Sequence, residues 1–240
     1  MTKVTYGLSV DAWLVTKDII ENLIKTNALK KICEVGAGAN PLFSVDHILA
    51  NNLDYTVMDI SQEELKKSPP GYKGIVMDIC QKDSLVKEKF DLVFSRMLAE
   101  HLADGELFHR NVYNLLNEGG FAFHFFPTLY ALPFVINKLM PIAISSLLLD
   151  IFAPRDRVKL IKLPAYYNWC RGPLRQQIRR FETLNYDVLE YGGFFGVEEY
   201  YKKIPPVRYA ATKVTNFLVR HPSPYLTAYA YVLLKKAQKG

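Results

Sequence analysis

A glycine turn and two acids, set at fixed distances along the chain, carry most of the chemistry legible in this sequence. The turn lies in Lys31-Ile32-Cys33-Glu34-Val35-Gly36-Ala37-Gly38-Ala39-Asn40-Pro41, where a short apolar run meets two glycines. Lacking a Cβ, Gly36 and Gly38 let the backbone turn sharply and lie close to a ligand. Two further apolar runs end in Asp59 and Asp78. Asp59, 21 residues after Gly38, stands close to the spacing at which an acid accepts both hydroxyls of a ribose. The order implies a nucleoside-bearing cofactor.

The same residues narrow its type. The third glycine of a dinucleotide fingerprint, which opens a helix N-terminus to pyrophosphate, would fall at 41, where the chain has Pro. Glu34 places a carboxylate two residues before Gly36, where it would meet an ammonium group and repel a pyrophosphate. NAD is thereby disfavoured, and S-adenosylmethionine, with an amino-acid end and no phosphate, is favoured. Asp59 is then the ribose ligand and Asp78 the acceptor for the adenine amino group, with Ile60 and Ile79 enclosing the ring. Each residue also has a local reading, since glycines form turns and a strand-end Asp caps a helix.

The elements that must position these groups follow from hydrophobic pattern. A helix is expected over 9–28, with Trp13, Leu14, Ile20, Leu23 and Ile24 on a rough common face. Strands are expected at 31–35, 54–60, 74–80, 90–95, 120–126, 186–191 and 225–235, with helices at about 173–184 and 207–219. Strands alternating with helices to about 126 predict a parallel sheet with right-handed crossovers. The expected fold is a three-layer Rossmann-like α/β sandwich, its seven-stranded sheet mainly parallel with an antiparallel last strand.

Residues 31–126 resemble the core of the class I S-adenosylmethionine-dependent methyltransferases. The resemblance rests on the Glu34-x-Gly36-x-Gly38 turn, the acids Asp59 and Asp78, the Phe90-Asp91-Leu92-Val93 strand, and Leu115-Leu116-Asn117-Glu118-Gly119-Gly120 leading into the next strand. Asn40 stands where many members have a further glycine. The resemblance implies that Glu34, Gly36, Ala37 and Gly38 cradle the methionine moiety, that Asp59 holds the ribose, that Asp78 reads adenine, and that Ser95 borders the site.

One domain accounts for 240 residues, half of them apolar. It divides into an N-terminal helical cap (1–30), a cofactor core (31–126), an apolar and basic insertion (127–172), and C-terminal elements with a second insertion (173–240). Cys33, Cys80 and Cys170 are dispersed and form neither a disulfide framework nor a zinc motif, so a reducing cytoplasm is expected. The N-terminus lacks the apolar run of a secretory signal. Glu100, His101 and Asp104 match no dedicated metal spacing, and no metal is expected.

The net charge of +6 is concentrated. Arg155, Arg157, Lys159, Lys162, Arg171, Arg175, Arg179 and Arg180 crowd one segment beside a single acid, Asp156. Before it, Leu129–Ala153 is strongly apolar but interrupted by Pro133 and Pro141, and its longest charge-free part, Leu139–Leu149, is too short to span a bilayer. A lid helix, an apolar substrate pocket and a membrane surface through 129–180 all remain open for it. The basic run favours an anionic or lipid-linked acceptor, or an anionic membrane; no nucleic-acid module is visible. Arg96, Tyr130, Tyr166, Tyr167, Trp169 and Arg171 are the candidate acceptor contacts, and His101 and His124 the candidate bases. The expected activity is methyl transfer to a small-molecule, saccharide or lipid-linked acceptor, on oxygen ahead of nitrogen or carbon. A noncatalytic cofactor-binding scaffold and an NAD-dependent oxidoreductase are the alternatives.

Overall fold

The computed structural model describes residues 1–82, 88–129, 164–197 and 201–237. Its strands are β1 (Lys3–Leu8), β2 (Lys31–Val35), β3 (Asp54–Asp59), β4 (Lys73–Val76), β5 (Phe90–Arg96), β6 (Leu116–Pro127), β7 (Tyr186–Phe195) and β8 (Tyr229–Lys236). The helices are α1 (Ala12–Thr26), α2 (Val45–Ala50), α3 (Gln62–Lys67), α4 (Gly105–Leu115), α5 (Arg175–Glu182) and α6 (Pro205–Arg220).

The strands form one sheet in the order β1-β7-β8-β6-β5-β2-β3-β4. Every neighbouring pair is parallel except the two that β8 makes, antiparallel to β6 and β7. Burial on both faces explains why the central strands read as nearly unbroken apolar runs. Along β5, Leu92 and Phe94 enter one core with Ile20, Ile24, Ile48 and Phe123, while Val93 enters the other with Phe108, Val112 and Phe181. The former lies under α1 and α2, the latter under α4 and α5, giving three layers.

The sheet has eight strands where seven were expected. The extra strand, β1, pairs with β7 alone, and its half-exposed face leaves only a weak pattern in the sequence. β4 ends at Val76, so Asp78 lies in the turn beyond it. β7 runs on to Phe195, taking in glycines expected to lie in the second insertion. Glycine is required there because Tyr231 of β8 crosses the strand: a Cβ on Gly192 would meet its ring at 2.0 Å.

In α1, Thr16, Ile20 and Ile24 are buried, but Trp13 and Leu14 face outward instead of joining them. Tyr130, the apolar stretch beyond Leu129, and Arg155, Arg157, Lys159 and Lys162 lie outside the described residues. β2 lies between β3 and β5, so consecutive crossovers leave it in opposite directions. The crevice at the carboxyl ends of β2 and β5 is where such a sheet binds ligands.

Candidate functional site

The glycine turn occupies that crevice. Gly36 has φ +73° and Gly38 φ +49°, and the Gly36 amide donates to the Met58 carbonyl of β3 at 2.7 Å. A Cβ on Gly36 would lie 2.7 Å from Leu98, and one on Gly38 would lie 3.2 Å from Glu64 and 3.4 Å from Asp59 Oδ2. Both positions therefore need glycine for conformation and for space. Ala37 sits between them, its carbonyl accepting from the Asn40 amide.

Glu34 is not open to a ligand's ammonium group. Its carboxylate is 1 % exposed and bonded at both oxygens. Oε1 accepts from Arg96 Nε at 2.9 Å and Nη2 at 2.6 Å, while Oε2 accepts from the Leu42 amide at 2.8 Å and the Tyr55 hydroxyl at 2.5 Å. Burial and the Glu34 charge hold the Tyr55 phenol well above its ordinary value, so it stays a donor. Arg96 Nη2 also reaches the Asn40 carbonyl at 3.0 Å. Arg96 thus clamps the glycine loop to the end of β5, where an acceptor contact had been expected.

Asp59 and Asp78 each use one oxygen locally. Asp59 Oδ1 accepts from the Ser61 amide at 2.9 Å, and Asp78 Oδ1 from the Cys80 amide at 2.8 Å. No hydrogen bond among the described residues engages the second oxygen of either. Ile60 beside Asp59 is exposed, an open apolar face next to a carboxylate. Ile79 is buried in the core under α4, with its carbonyl held by Asn111, and so does not mirror Ile60.

The chemistry of this cradle fits a nucleoside and does not fit a pyrophosphate. The helix after the glycine turn starts only at Val45, and the guanidinium that reaches the loop among the described residues, Arg96, is neutralised by Glu34. The free carboxylate oxygens of Asp59 and Asp78 suit hydroxyl and amino donors.

Ser95 and His124 face each other across β5 and β6, Oγ to Nδ1 at 2.8 Å, and neither has exposed surface. Ser95 therefore does not line the crevice. Burial depresses His124 to about 3 and pushes the neighbouring His109, whose ring lies 5.0 Å away, well below the ordinary imidazole value. Both are neutral core imidazoles near pH 7, so His124 is not a base at the site.

His101 is better placed. It lies in a short 3-10 turn, Ala99–His101, immediately beyond β5. Its Nδ1 contacts the Pro164 carbonyl at 2.9 Å, which can only accept, so Nδ1 carries a proton and Nε2 is left as the basic nitrogen of the neutral ring. Nε2 points toward Glu100 Oε1 at 3.6 Å. Glu100, weighed from sequence only as part of a metal set, has a buried side chain, its Oε2 has no hydrogen-bond partner among the described residues, and burial pushes its pKa up to about 8. Nothing in the local sequence marks that burial, which comes from residues 164–171 folding back across the turn. The Tyr166 and Tyr167 amides both donate to the Glu100 carbonyl, at 2.7 and 3.0 Å.

The remaining acceptor candidates divide. Tyr166 is exposed, whereas Tyr167 is buried. Trp169 packs on His109 and Phe181 with the Arg180 guanidinium over its ring, and Arg171 donates to the Tyr167 and Cys170 carbonyls. Those three support the segment. The exposed Trp13 sits edge-on to Phe125 near the carboxyl end of β6, at 5.1 Å between ring centroids.

Residues 33–124 match the family model described as a methyltransferase domain. That segment runs from β2 into β6 and contains Glu34, both glycines, Asp59, Asp78, Glu100 and His101. No curated protein matches the chain in sequence. Among solved structures, an S-adenosylmethionine-dependent methyltransferase from Clostridium acetobutylicum is 13 % identical over 92 % of this chain and 90 % of its own, with a TM-score of 0.54. The N-methyltransferase NodS from Bradyrhizobium japonicum, in complex with S-adenosyl-L-homocysteine, is 13 % identical over 92 % of this chain and 85 % of its own, TM-score 0.50. The [4+2]-cyclase SpnF is 10 % identical over 93 % of this chain and 81 % of its own, TM-score 0.53. At these identities the likeness is one of fold, and the fold alone does not set the reaction.

Proposed function

We propose that this chain is a class I S-adenosylmethionine-dependent methyltransferase, a reading supported by the methyltransferase-domain match over residues 33–124 and by the fold, and that it methylates a hydrophobic small-molecule, saccharide or lipid-linked acceptor at a hydroxyl oxygen. The observation that supports the acceptor atom is the His101–Glu100 pair beyond β5, a basic imidazole nitrogen beside a buried carboxyl. An oxygen acceptor, unlike an amine, must lose a proton as it attacks.

When bound, S-adenosylmethionine supplies an electrophilic methyl group on sulfur. The residues here do the rest. Asp59 would hold the ribose hydroxyls and Asp78 the adenine amino group through their free oxygens, and Ile60 would offer its exposed apolar face to the ring. Glu34, held by Arg96, Tyr55 and the Leu42 amide, keeps the glycine loop in register. His101 takes the acceptor's proton at Nε2 while the Pro164 carbonyl holds the opposite N–H. Glu100, neutral below about pH 8, sits beside that nitrogen without competing for the proton. The exposed rings of Trp13 and Tyr166 supply apolar walls for the acceptor.

Calorimetry with S-adenosylmethionine and with NAD tests the site. Wild type should bind the former alone. Asp59→Ala should weaken it by about 1–3 kcal/mol, as for lost hydrogen bonds to a charged group. Unchanged affinity in a folded variant would remove Asp59 as the ribose ligand. Transfer of labelled methyl to hydroxylated lipids and sugars, but not to amines, would establish the acceptor class; the reverse would overturn it.

A further inference from the structure

We propose that helix α6 is a docking surface for an anionic lipid bilayer. The inference goes beyond the methyl-transfer reaction and holds whether or not the acceptor is itself a lipid.

α6 is 16 residues long, yet its buried residues are only Thr215 and Leu218. Its other apolar side chains point outward. Tyr209 is 66 % and Phe217 61 % exposed, with Val207, Val214 and Val219 also exposed along the helix. The flanking turns add exposed Ile204, Tyr225 and Leu226. Isolated exposed apolar residues need no explanation, but a helix that keeps most of its apolar side chains in water is unusual.

The charge on this element has one sign. From α6 onward the sequence holds no Asp or Glu, the nearest acids before it being Glu198 and Glu199, while Lys202, Lys203, Arg208, Lys213 and Arg220 lie on or beside α6. Among the described residues, no ion pair involves Lys202, Lys203, Lys213 or Arg220. Lys213 Nζ instead lies 5.2 Å from the Tyr209 ring centroid, placing a cation and an aromatic on one outward stripe. Lys213 and Tyr209, with Val214 and Phe217 exposed on the same helix, suit the headgroup boundary, where rings and aliphatic tips enter the acyl layer and cations meet anionic headgroups. A nucleic acid would answer the cations but leave the valines and Phe217 uncovered.

Topology gives the surface a direction. β7 is parallel to β6 through their shared antiparallel neighbour β8, so the connection carrying α6 leaves and re-enters the sheet at its carboxyl edge. The glycine turn, Asp59 and His101 lie at that same edge. A chain docked through α6 would hold its crevice edge toward the bilayer side.

Co-sedimentation of the full chain with phosphatidylcholine vesicles, with and without about 30 % phosphatidylserine, tests this. The expected result is salt-sensitive binding to the anionic vesicles only. Tyr209→Ser with Phe217→Ser, and separately Lys213→Gln with Arg220→Gln, should each reduce that binding about tenfold or more. Both pairs should keep the wild-type affinity for S-adenosylmethionine by calorimetry, which reports folding and separates failure of docking from failure of the site. Absence of binding to anionic vesicles, or binding that both pairs leave unchanged, overturns the proposal. So does a concentration-dependent dimer abolished by the Tyr209/Phe217 pair, which would make a second copy the occupant.

Discussion

Removing the Arg96 guanidinium while keeping an apolar stem, as in Arg96→Met, should destabilise the protein and loosen the glycine loop together. The substitution deletes both hydrogen bonds to Glu34 Oε1 and the one to the Asn40 carbonyl, leaving Glu34 with the Leu42 amide and the Tyr55 hydroxyl on its other oxygen. Breaking a buried ion pair from one side typically costs about 3–5 kcal/mol, because the surviving charge stays desolvated. Arg96 keeps 17 % of its side chain exposed, so some water can reach the gap and the cost should fall near the lower end, about 3 kcal/mol. With a urea m-value of about 3 kcal/mol/M, reasonable for a chain of this size, the midpoint should fall by about 1 M. Glu34→Gln combined with Arg96→Met should recover part of the loss, since no charge is then stranded. A midpoint shift below about 0.3 M in the single variant would show that Glu34 does not depend on Arg96, and the clamp reasoning would fail.

Two further expectations concern the turn and the 3-10 segment. Gly36→Ala places a side chain at φ +73° and its Cβ 2.7 Å from Leu98, so stability should drop by about 1–2 kcal/mol. Adding Leu98→Ala should relieve the clash but not the backbone strain; full recovery in denaturant titration would show that space alone requires the glycine. Glu100 titrates near 8 in the folded chain against an ordinary value of 4.5, so the folded protein holds an extra proton between those values. Stability should therefore fall as pH rises from about 4.5 to about 8 and level off above, by up to a few kcal/mol. Glu100→Gln should flatten that slope in urea titrations across the range. A slope identical to wild type would mean the carboxyl is not held protonated.

The succession of the central strands along the chain, the glycine turn and the two acids were legible from sequence because each depends on local pattern. Buried parallel strands read as unbroken apolar runs, and a turn needing positive φ calls for glycine wherever it occurs. Asp59 likewise ends its own strand and Asp78 lies in the turn just beyond its own, and each accepts from an amide two residues on and keeps one oxygen free. Tertiary structure alone decided what those residues face. Arg96 stands at a strand end just as Asp59 does, yet it is consumed by Glu34, 62 positions away. Ser95 reads from sequence as a strand-end residue and His124 as a candidate base within the next strand, and pairing of β5 with β6 under α4 seals both in the core. Glu100 is buried where Tyr166 and Tyr167 return across its backbone, which raises its pKa, and Trp13 is exposed although it shares a helix with Ile20 and Ile24. Burial, and with it charge state and availability to a ligand, is set by neighbours distant in the chain, so residue type and spacing could propose these groups but not assign their work.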